Sequence, residues 1–126
     1  MRVWEEGVKY IRQKPLFGHG CESITLEMKE RLGIGDVHSE PMTYAIYYGI
    51  PAMLFYLAGI VMVAVRYFRS RNALPLTSRI AFLAASAYFL SSLVGVSMFY
   101  TTPFFFVFMG MAASGASDAT SEEAQL

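Results

Sequence analysis

Apolar and polar positions follow a helical repeat at the start of this chain and merge into long apolar runs further along it. Within residues 2–13, Trp4, Val8 and Ile11 recur at intervals of four and three residues, with charged side chains between them. This spacing predicts a short amphipathic helix. The same reasoning predicts a second short helix over residues 22–32, before the glycines that follow.

Residues 41–65 form the first long run without a charged side chain. At about 1.5 Å per residue this run reaches roughly 37 Å, which exceeds the ~30 Å hydrocarbon core of a bilayer. We therefore predict a transmembrane helix, helix A, over 41–65. Pro41 suits its first turn, and Pro51 predicts a kink early in the helix.

A second uncharged run covers residues 80–117 and is too long for a single span. Pro103 has no backbone N–H to donate and disfavours helical geometry in the residue before it. We therefore predict a second transmembrane helix, helix B, over 80–99 and a short third membrane segment over 104–117. The acidic and polar residues 118–126 predict a disordered tail.

The distribution of charge orients these segments. Residues 66–79 contain arginines and no acidic residue, and loops of this kind stay on the cytoplasmic side of the membrane. This predicts a cytoplasmic Arg-rich loop at 66–79 and an extracytoplasmic loop with short amphipathic helices at 1–40. The protein would be an all-α membrane protein in which that loop region precedes two to three transmembrane helices.

Composition supports a membrane protein. Hydrophobic residues make up 55% of the chain and charged residues only 16%, whereas soluble proteins carry about 25% charged residues. The net charge is zero, so we expect no nucleic acid among the partners. Cys21 is the only cysteine, which leaves no intramolecular disulfide. Met1 is followed by an amphipathic, charged stretch, so we expect no signal peptide.

The candidate chemistry lies directly before helix A. His38, with histidine's ordinary pKa of about 6.5, can take or give a proton near neutral pH, and Glu40 can orient it. The alternative is that His38 is a polar interfacial residue and that Ser39 caps the helix. His19 and Cys21 add two potential metal ligands, but none of the spacings is typical of zinc. We expect neither a metal nor a cofactor.

Two segments together resemble a known family. They are Trp4 … Lys14-Pro15-Leu16-Phe17-Gly18-His19-Gly20 and His38-Ser39-Glu40 … Tyr48-Gly49-Ile50-Pro51-Ala52-Met53-Leu54. Their order and spacing are similar to the C-terminal part of the O-antigen ligase / polysaccharide polymerase family, which are multi-spanning bacterial membrane proteins with a GT-C-like fold. The stretch from Pro103 to Gly110 resembles the last span of that family.

This resemblance implies a function and a site. Family members join a lipid-diphosphate-linked glycan to an acceptor outside the cytoplasmic membrane, as inverting, metal-independent glycosyltransferases. The family's histidine falls on His38, so His38 and Glu40 are the catalytic candidates. The candidates for substrate binding are Gly18, His19, Gly20 and Ser39.

The resemblance also implies partners. These are the lipid bilayer, a polyprenyl-diphosphate-linked glycan, a glycan or lipid acceptor, and the N-terminal half of the same protein. The family's diphosphate-binding arginines lie mainly upstream of the segments that match. We therefore expect a C-terminal fragment that is inactive alone, in the bacterial cytoplasmic membrane. The competing interpretation is a small, non-enzymatic integral membrane subunit or assembly partner.

Overall fold

The computed structural model describes residues 2–33, 35, 37–95 and 100–123, which form six α-helices and no β-strand. The helices are α1 (Arg2–Gln13), α2 (Cys21–Leu32), α3 (Glu40–Tyr48), α4 (Ile50–Ser70), α5 (Leu76–Ser92) and α6 (Thr102–Glu123). The all-α class is therefore confirmed for the described part of the chain. The helices fall into two compact units. The first contains α1 to α3, the start of α4 as far as Leu57 and the last residue of α5, Ser92; the second contains the rest of α4 and of α5, together with α6.

The first unit is built around the two short helices that the apolar spacing predicts. Its buried core combines side chains from α1, α2, α3 and the segment before α3, namely Tyr10, Ile24, Met28, Val37 and Ile46. Gly7 allows α3 to lie close to α1, because a Cβ at Gly7 would be 2.7 Å from the sulfur of Met42. Gly33 ends α2 with a left-handed φ of 70° and donates its N–H to the carbonyl of Lys29, as is common at helix ends.

The prediction of one continuous helix A over 41–65 is wrong. The segment contains two helices, and Gly49 separates them with a φ of 94° and a ψ of 168°, a conformation that is essentially restricted to glycine. Pro51, the predicted source of a kink, lies instead in the first turn of α4, where a missing N–H costs nothing.

Helix α4 is the candidate membrane span. Among the described residues it alone is both long enough and apolar enough to cross a membrane, judged by length and composition. Its 21 residues reach about 32 Å, close to the thickness of the hydrocarbon core. Because α4 continues to Ser70 and α5 begins at Leu76, the connection between them is much shorter than the predicted loop at 66–79. The side chain of Arg79 holds this connection by donating to the carbonyls of Leu74 (3.1 Å) and Asn72 (3.3 Å).

The region after α4 divides as Pro103 predicts, but at different residues. Helix α5 covers Leu76–Ser92, so helix B begins earlier and ends earlier than 80–99, and residues 96–99 of that prediction lie outside the described residues. Helix α6 begins at Thr102 and places Pro103 in its first turn, a favoured position.

Helix α6 also corrects the predicted end of the chain. It contains the predicted segment 104–117 and continues to Glu123, so the prediction of a disordered tail at 118–126 is wrong as far as Glu123. Neither glycine nor proline occurs after Gly115, which leaves the helix without a residue that would end it. Residues 124–126 of that prediction lie outside the described residues.

The second unit is packed through aromatic stacking and close backbone approach. Tyr67 of α4 stacks on Phe82 of α5 at 3.8 Å between ring centroids. Ser78 of α5 is buried and donates to the carbonyl of Met111 in α6 (3.2 Å). A Cβ at Gly115 would overlap the Ser78 side chain, so α5 and α6 approach at a small residue, as helices often do in membranes.

Candidate functional site

Within the first unit, backbone hydrogen bonds join the two segments on which the sequence resemblance was based. The N–H of His19 donates to the carbonyl of Ile46 (2.8 Å), and the N–H of Gly20 donates to the carbonyl of Tyr47 (3.0 Å). The N–H of Ile50 donates to the carbonyl of Pro15 (2.7 Å). We call this contact between residues 15–20 and residues 46–50 the glycine junction.

The glycine junction replaces the hydrogen bonds that the break between α3 and α4 removes. In an unbroken helix the carbonyl of Ile46 would accept from Ile50, and the carbonyl of Tyr47 would face Pro51, which has no N–H to donate. His19 and Gly20 supply those donors instead. Since buried backbone groups need partners, the turn and the break depend on each other.

Two glycines make this contact possible by their lack of a side chain. A Cβ at Gly18, where φ is 66°, would overlap the carbonyl of Tyr47. A Cβ at Gly49 would overlap the carbonyl of Leu16. Gly20 also has a positive φ of 80°, yet no atom lies within 4 Å of the position that its Cβ would take. Gly18 and Gly49 are therefore required for close approach, and Gly20 for backbone conformation alone.

His19 is a packing residue in this arrangement. Its Nε2 lies 2.8 Å from the carbonyl of Tyr10, and because a carbonyl only accepts, Nε2 carries a proton. Its ring also meets the ring of Tyr10 edge to face, with centroids 5.6 Å apart. The backbone N–H groups of His19 and Gly20 are engaged with α3, so these predicted substrate-binding residues hold the turn in place.

The predicted catalytic residues lie at the start of α3 in contrasting environments. His38 is exposed and has a left-handed φ of 56°, whereas Glu40 is buried with 2% of its surface exposed. Ser39 occupies the N-cap position with an extended φ of −156°, but its side chain makes no capping hydrogen bond. The carbonyl of Ser39 accepts instead from the hydroxyl of Thr43 (3.0 Å).

The burial of Glu40 is a feature that the sequence does not reveal. An acidic residue two positions after a histidine suggests a side chain in solvent that pairs with the imidazole. Glu40 is instead among the most completely buried large side chains of the described residues. It lies in the first turn of α3. The carboxyl group of Glu40 thus lies in the protein interior, two residues after the exposed His38.

Tyrosines surround the break between α3 and α4. Tyr44 of α3 stacks on Tyr56 of α4 with centroids 4.6 Å apart, and Tyr47 shares a hydrogen bond of 2.9 Å with the hydroxyl of Thr25 in α2. Stacked aromatic pairs add stability beyond the area they bury. The tyrosine stack holds the start of α4 against α3, and the hydrogen bond of Tyr47 holds α3 against α2.

One charged network lies at the contact of α1 with α2. The hydroxyl of Tyr10 donates to Glu27 at 3.5 Å, and Arg31 pairs with the same carboxylate at 3.2 Å. Burial raises the pKa of Tyr10 above its ordinary value, and the negative charge of Glu27 raises it further. On the exposed face of α1, the hydrogen bond from Lys9 to Glu6 raises the pKa of Lys9.

Among the residues that the structure describes, no three His, Cys, Asp or Glu side chains are grouped so as to hold a metal ion. Cys21 is exposed at the start of α2 and has a free thiol. No protein-family model, curated protein or solved structure matches this chain.

Proposed function

We propose that this chain is part of a membrane glycosyltransferase of the O-antigen ligase-like type, which transfers a lipid-diphosphate-linked glycan to an acceptor outside the cytoplasmic membrane. The observation that carries the proposal is the exposed His38, held in a left-handed conformation at the start of the helix that leads through Gly49 into the candidate span. The chain acts together with further membrane helices that complete the binding site for the diphosphate.

The reaction defines what His38 contributes. An oxygen of the acceptor hydroxyl attacks the anomeric carbon of the donor sugar, the bond from that carbon to the diphosphate oxygen breaks, and the diphosphate leaves with the electron pair. The proton of the hydroxyl passes to a general base, and positive charge stabilises the leaving diphosphate. The imidazole of His38 is the base in this scheme, and the positive charge comes from the additional helices.

The backbone of His38 supports a functional role. A residue other than glycine with a left-handed backbone conformation costs about 1–3 kcal/mol of strain, and such residues cluster at active sites. Ser39 does not use its hydroxyl to cap α3, which weakens the competing interpretation that these residues serve only as a helix cap. The buried Glu40 acts as a positioning residue that fixes the start of α3, two residues after His38.

The experiment replaces His38 in the complete protein and measures glycan transfer in cells. Asparagine tolerates the left-handed conformation but is not a general base, so we expect His38→Asn to abolish transfer while expression and membrane insertion stay normal. General-base loss typically lowers the rate by about 10²–10⁴-fold. Lys29→Ala, at an exposed position of α2, is the matched control and should keep full transfer. If His38→Asn transfers glycan at the control rate, the catalytic role of His38 is refuted.

Glu40→Gln separates positioning from catalysis. The amide keeps the size of the buried side chain but cannot exchange a proton, so we expect a smaller loss of transfer than in His38→Asn. The loss should fall on kcat with little change in KM, because Glu40 does not contact the substrate in this scheme. A loss as large as that of His38→Asn would instead assign Glu40 a direct role in proton transfer.

A second candidate function is that of a non-enzymatic membrane subunit. The observation that favours it is the exposed apolar surface of α6. Phe104, Phe106 and Val107 are each at least half exposed, as expected for a helix that packs on another membrane protein. Under this interpretation, substitutions at His38 leave glycan transfer intact, whereas charged substitutions at Phe104 and Val107 remove a partner from the membrane complex.

A further inference from the structure

The turn between α1 and α2 presents two apolar side chains away from the protein. Phe17 is 87% exposed and Leu16 is 64% exposed, although both flank the backbone contacts of the glycine junction. A cavity of about 260 Å³ opens beside them and is lined by Lys14, Pro15, Leu16, Phe17 and Gly18, with an almost wholly apolar wall. Exposed apolar groups arranged beside one cation are typical of surfaces that bind a partner or a membrane.

The position of this turn along α4 identifies the partner. The carbonyl of Pro15 accepts from the N–H of Ile50, the first residue of α4. The turn therefore lies level with the first turn of the helix that is long and apolar enough to span a membrane. One turn further along that helix, the apolar side chains of Leu54 and Phe55 are also exposed, by 55% and 80%.

We propose that Leu16 and Phe17 form a wedge that inserts into the outer leaflet of the bilayer beside the start of α4. The wedge carries its apolar side chains to the boundary between headgroups and acyl chains, and the ammonium group of Lys14 reaches the lipid phosphates. Through the glycine junction, this insertion fixes the height of α3, and with it of His38, above the membrane surface. The inference depends on α4 spanning the membrane, as in the proposed function, but not on glycan transfer.

Depth-resolved fluorescence quenching tests the wedge directly. Trp4 is the only tryptophan, so a Trp4→Phe background allows single reporters in the full chain, reconstituted in vesicles of phosphatidylcholine and phosphatidylglycerol. The reporter is Phe17→Trp, at a side chain whose exposure means that the substitution does not disturb the core. Glu30→Trp, in the charged end of α2, is the aqueous control, and Phe55→Trp is the reference inside the span.

The wedge predicts a fixed order of quenching. Spin labels near the headgroups should quench Phe17→Trp most strongly, and labels deep in the acyl chains should quench Phe55→Trp most strongly. Acrylamide in the water should quench Glu30→Trp at least several-fold more efficiently than Phe17→Trp. Leu16→Trp should repeat the result of Phe17→Trp and guards against a local effect of one substitution.

Three results would overturn the wedge, each with a different meaning. Quenching of Phe17→Trp by acrylamide as strong as that of Glu30→Trp would place the turn in water. Protection of Phe17→Trp from both acrylamide and lipid labels would assign the turn to a protein contact. A Phe55→Trp reporter that no lipid label quenches would remove α4 from the membrane and with it the premise of the wedge. None of these readouts requires transferase activity, so a failure of the proposed reaction would leave them unaffected.

Discussion

The glycine junction makes a sharp prediction about three glycines that look alike in the sequence. Gly18, Gly20 and Gly49 all have positive φ angles, but a Cβ meets backbone atoms only at Gly18 and Gly49. We therefore expect Gly18→Ala and Gly49→Ala to destabilise the first unit far more than Gly20→Ala. Gly20 (φ 80°, ψ 156°) and Gly49 (φ 94°, ψ 168°) have similar backbone conformations, so the comparison of these two replacements separates the effect of close approach from that of backbone preference.

The magnitude follows from the contacts. Alanine at Gly18 pays about 1–2 kcal/mol for the left-handed conformation. It also forces the turn away from α3, which breaks the hydrogen bonds that His19, Gly20 and Ile50 donate across the junction, at about 1 kcal/mol each. The total is about 4–5 kcal/mol, a loss that is exceptional for a single substitution. Alanine at Gly20 costs only the strain of a non-glycine residue in that backbone conformation, about 1–3 kcal/mol.

The assay is urea unfolding of the detergent-solubilised protein, followed by circular dichroism and by exchange of individual backbone amides. In Gly18→Ala the amides of His19, Gly20 and Ile50 should lose protection, whereas in Gly20→Ala they should keep most of it. Equal free energies of unfolding for Gly18→Ala and Gly20→Ala would refute the reasoning. So would an unchanged protection of the Ile50 amide in Gly18→Ala.

Two further predictions concern packing and pH. In Gly115→Ala the new methyl group should overlap Ser78, separate α5 from α6 and lower the unfolding temperature. In the control Gly110→Ala the new methyl group meets no atom within 4 Å, so the unfolding temperature should stay unchanged or rise. Equal melting curves for the two variants would contradict this packing. The pKa of Tyr10 is raised in the folded protein, so folding favours the protonated phenol. The protonated phenol therefore contributes its full stabilisation below the unfolded pKa of about 10, and this stabilisation is lost as the pH rises through the higher folded pKa. Urea unfolding between about pH 9 and pH 12 should therefore show a steeper loss in the wild type than in Tyr10→Phe, and identical slopes would exclude this role for Tyr10.

Local periodicity was sufficient to predict some elements and not others. The repeat of Trp4, Val8 and Ile11 predicts α1 because an amphipathic helix exposes its pattern within one segment. Gly33 ends α2 for an equally local reason. The break at Gly49 could not be predicted in this way, because the donors that replace the lost helical bonds come from His19 and Gly20, about thirty residues away in the chain. A local rule therefore favoured Pro51 over Gly49.

The candidate site also combines features that the local sequence reveals with features that depend on distant parts of the chain. That His38 is a polar, ionisable residue beside an apolar run is visible in the sequence, but its left-handed backbone and its exposure are not. The burial of Glu40 depends on side chains from other helices and contradicts the usual preference of carboxylates for the surface. The polar composition of 118–126 predicts disorder, whereas α6 continues to Glu123 because the segment contains no residue that stops a helix.

We propose that α4 crosses the membrane with α1 to α3 outside and the arginine-rich connection after α4 inside. Side-specific cysteine labelling tests it most directly, because Cys21 is the only cysteine and is exposed. A membrane-impermeant maleimide should label Cys21 in intact cells. In a Cys21→Ser background, Arg71→Cys, at an exposed position just after α4, should react only after the cells are lysed. Labelling of both positions in intact cells, or of Arg71→Cys alone, would contradict the account.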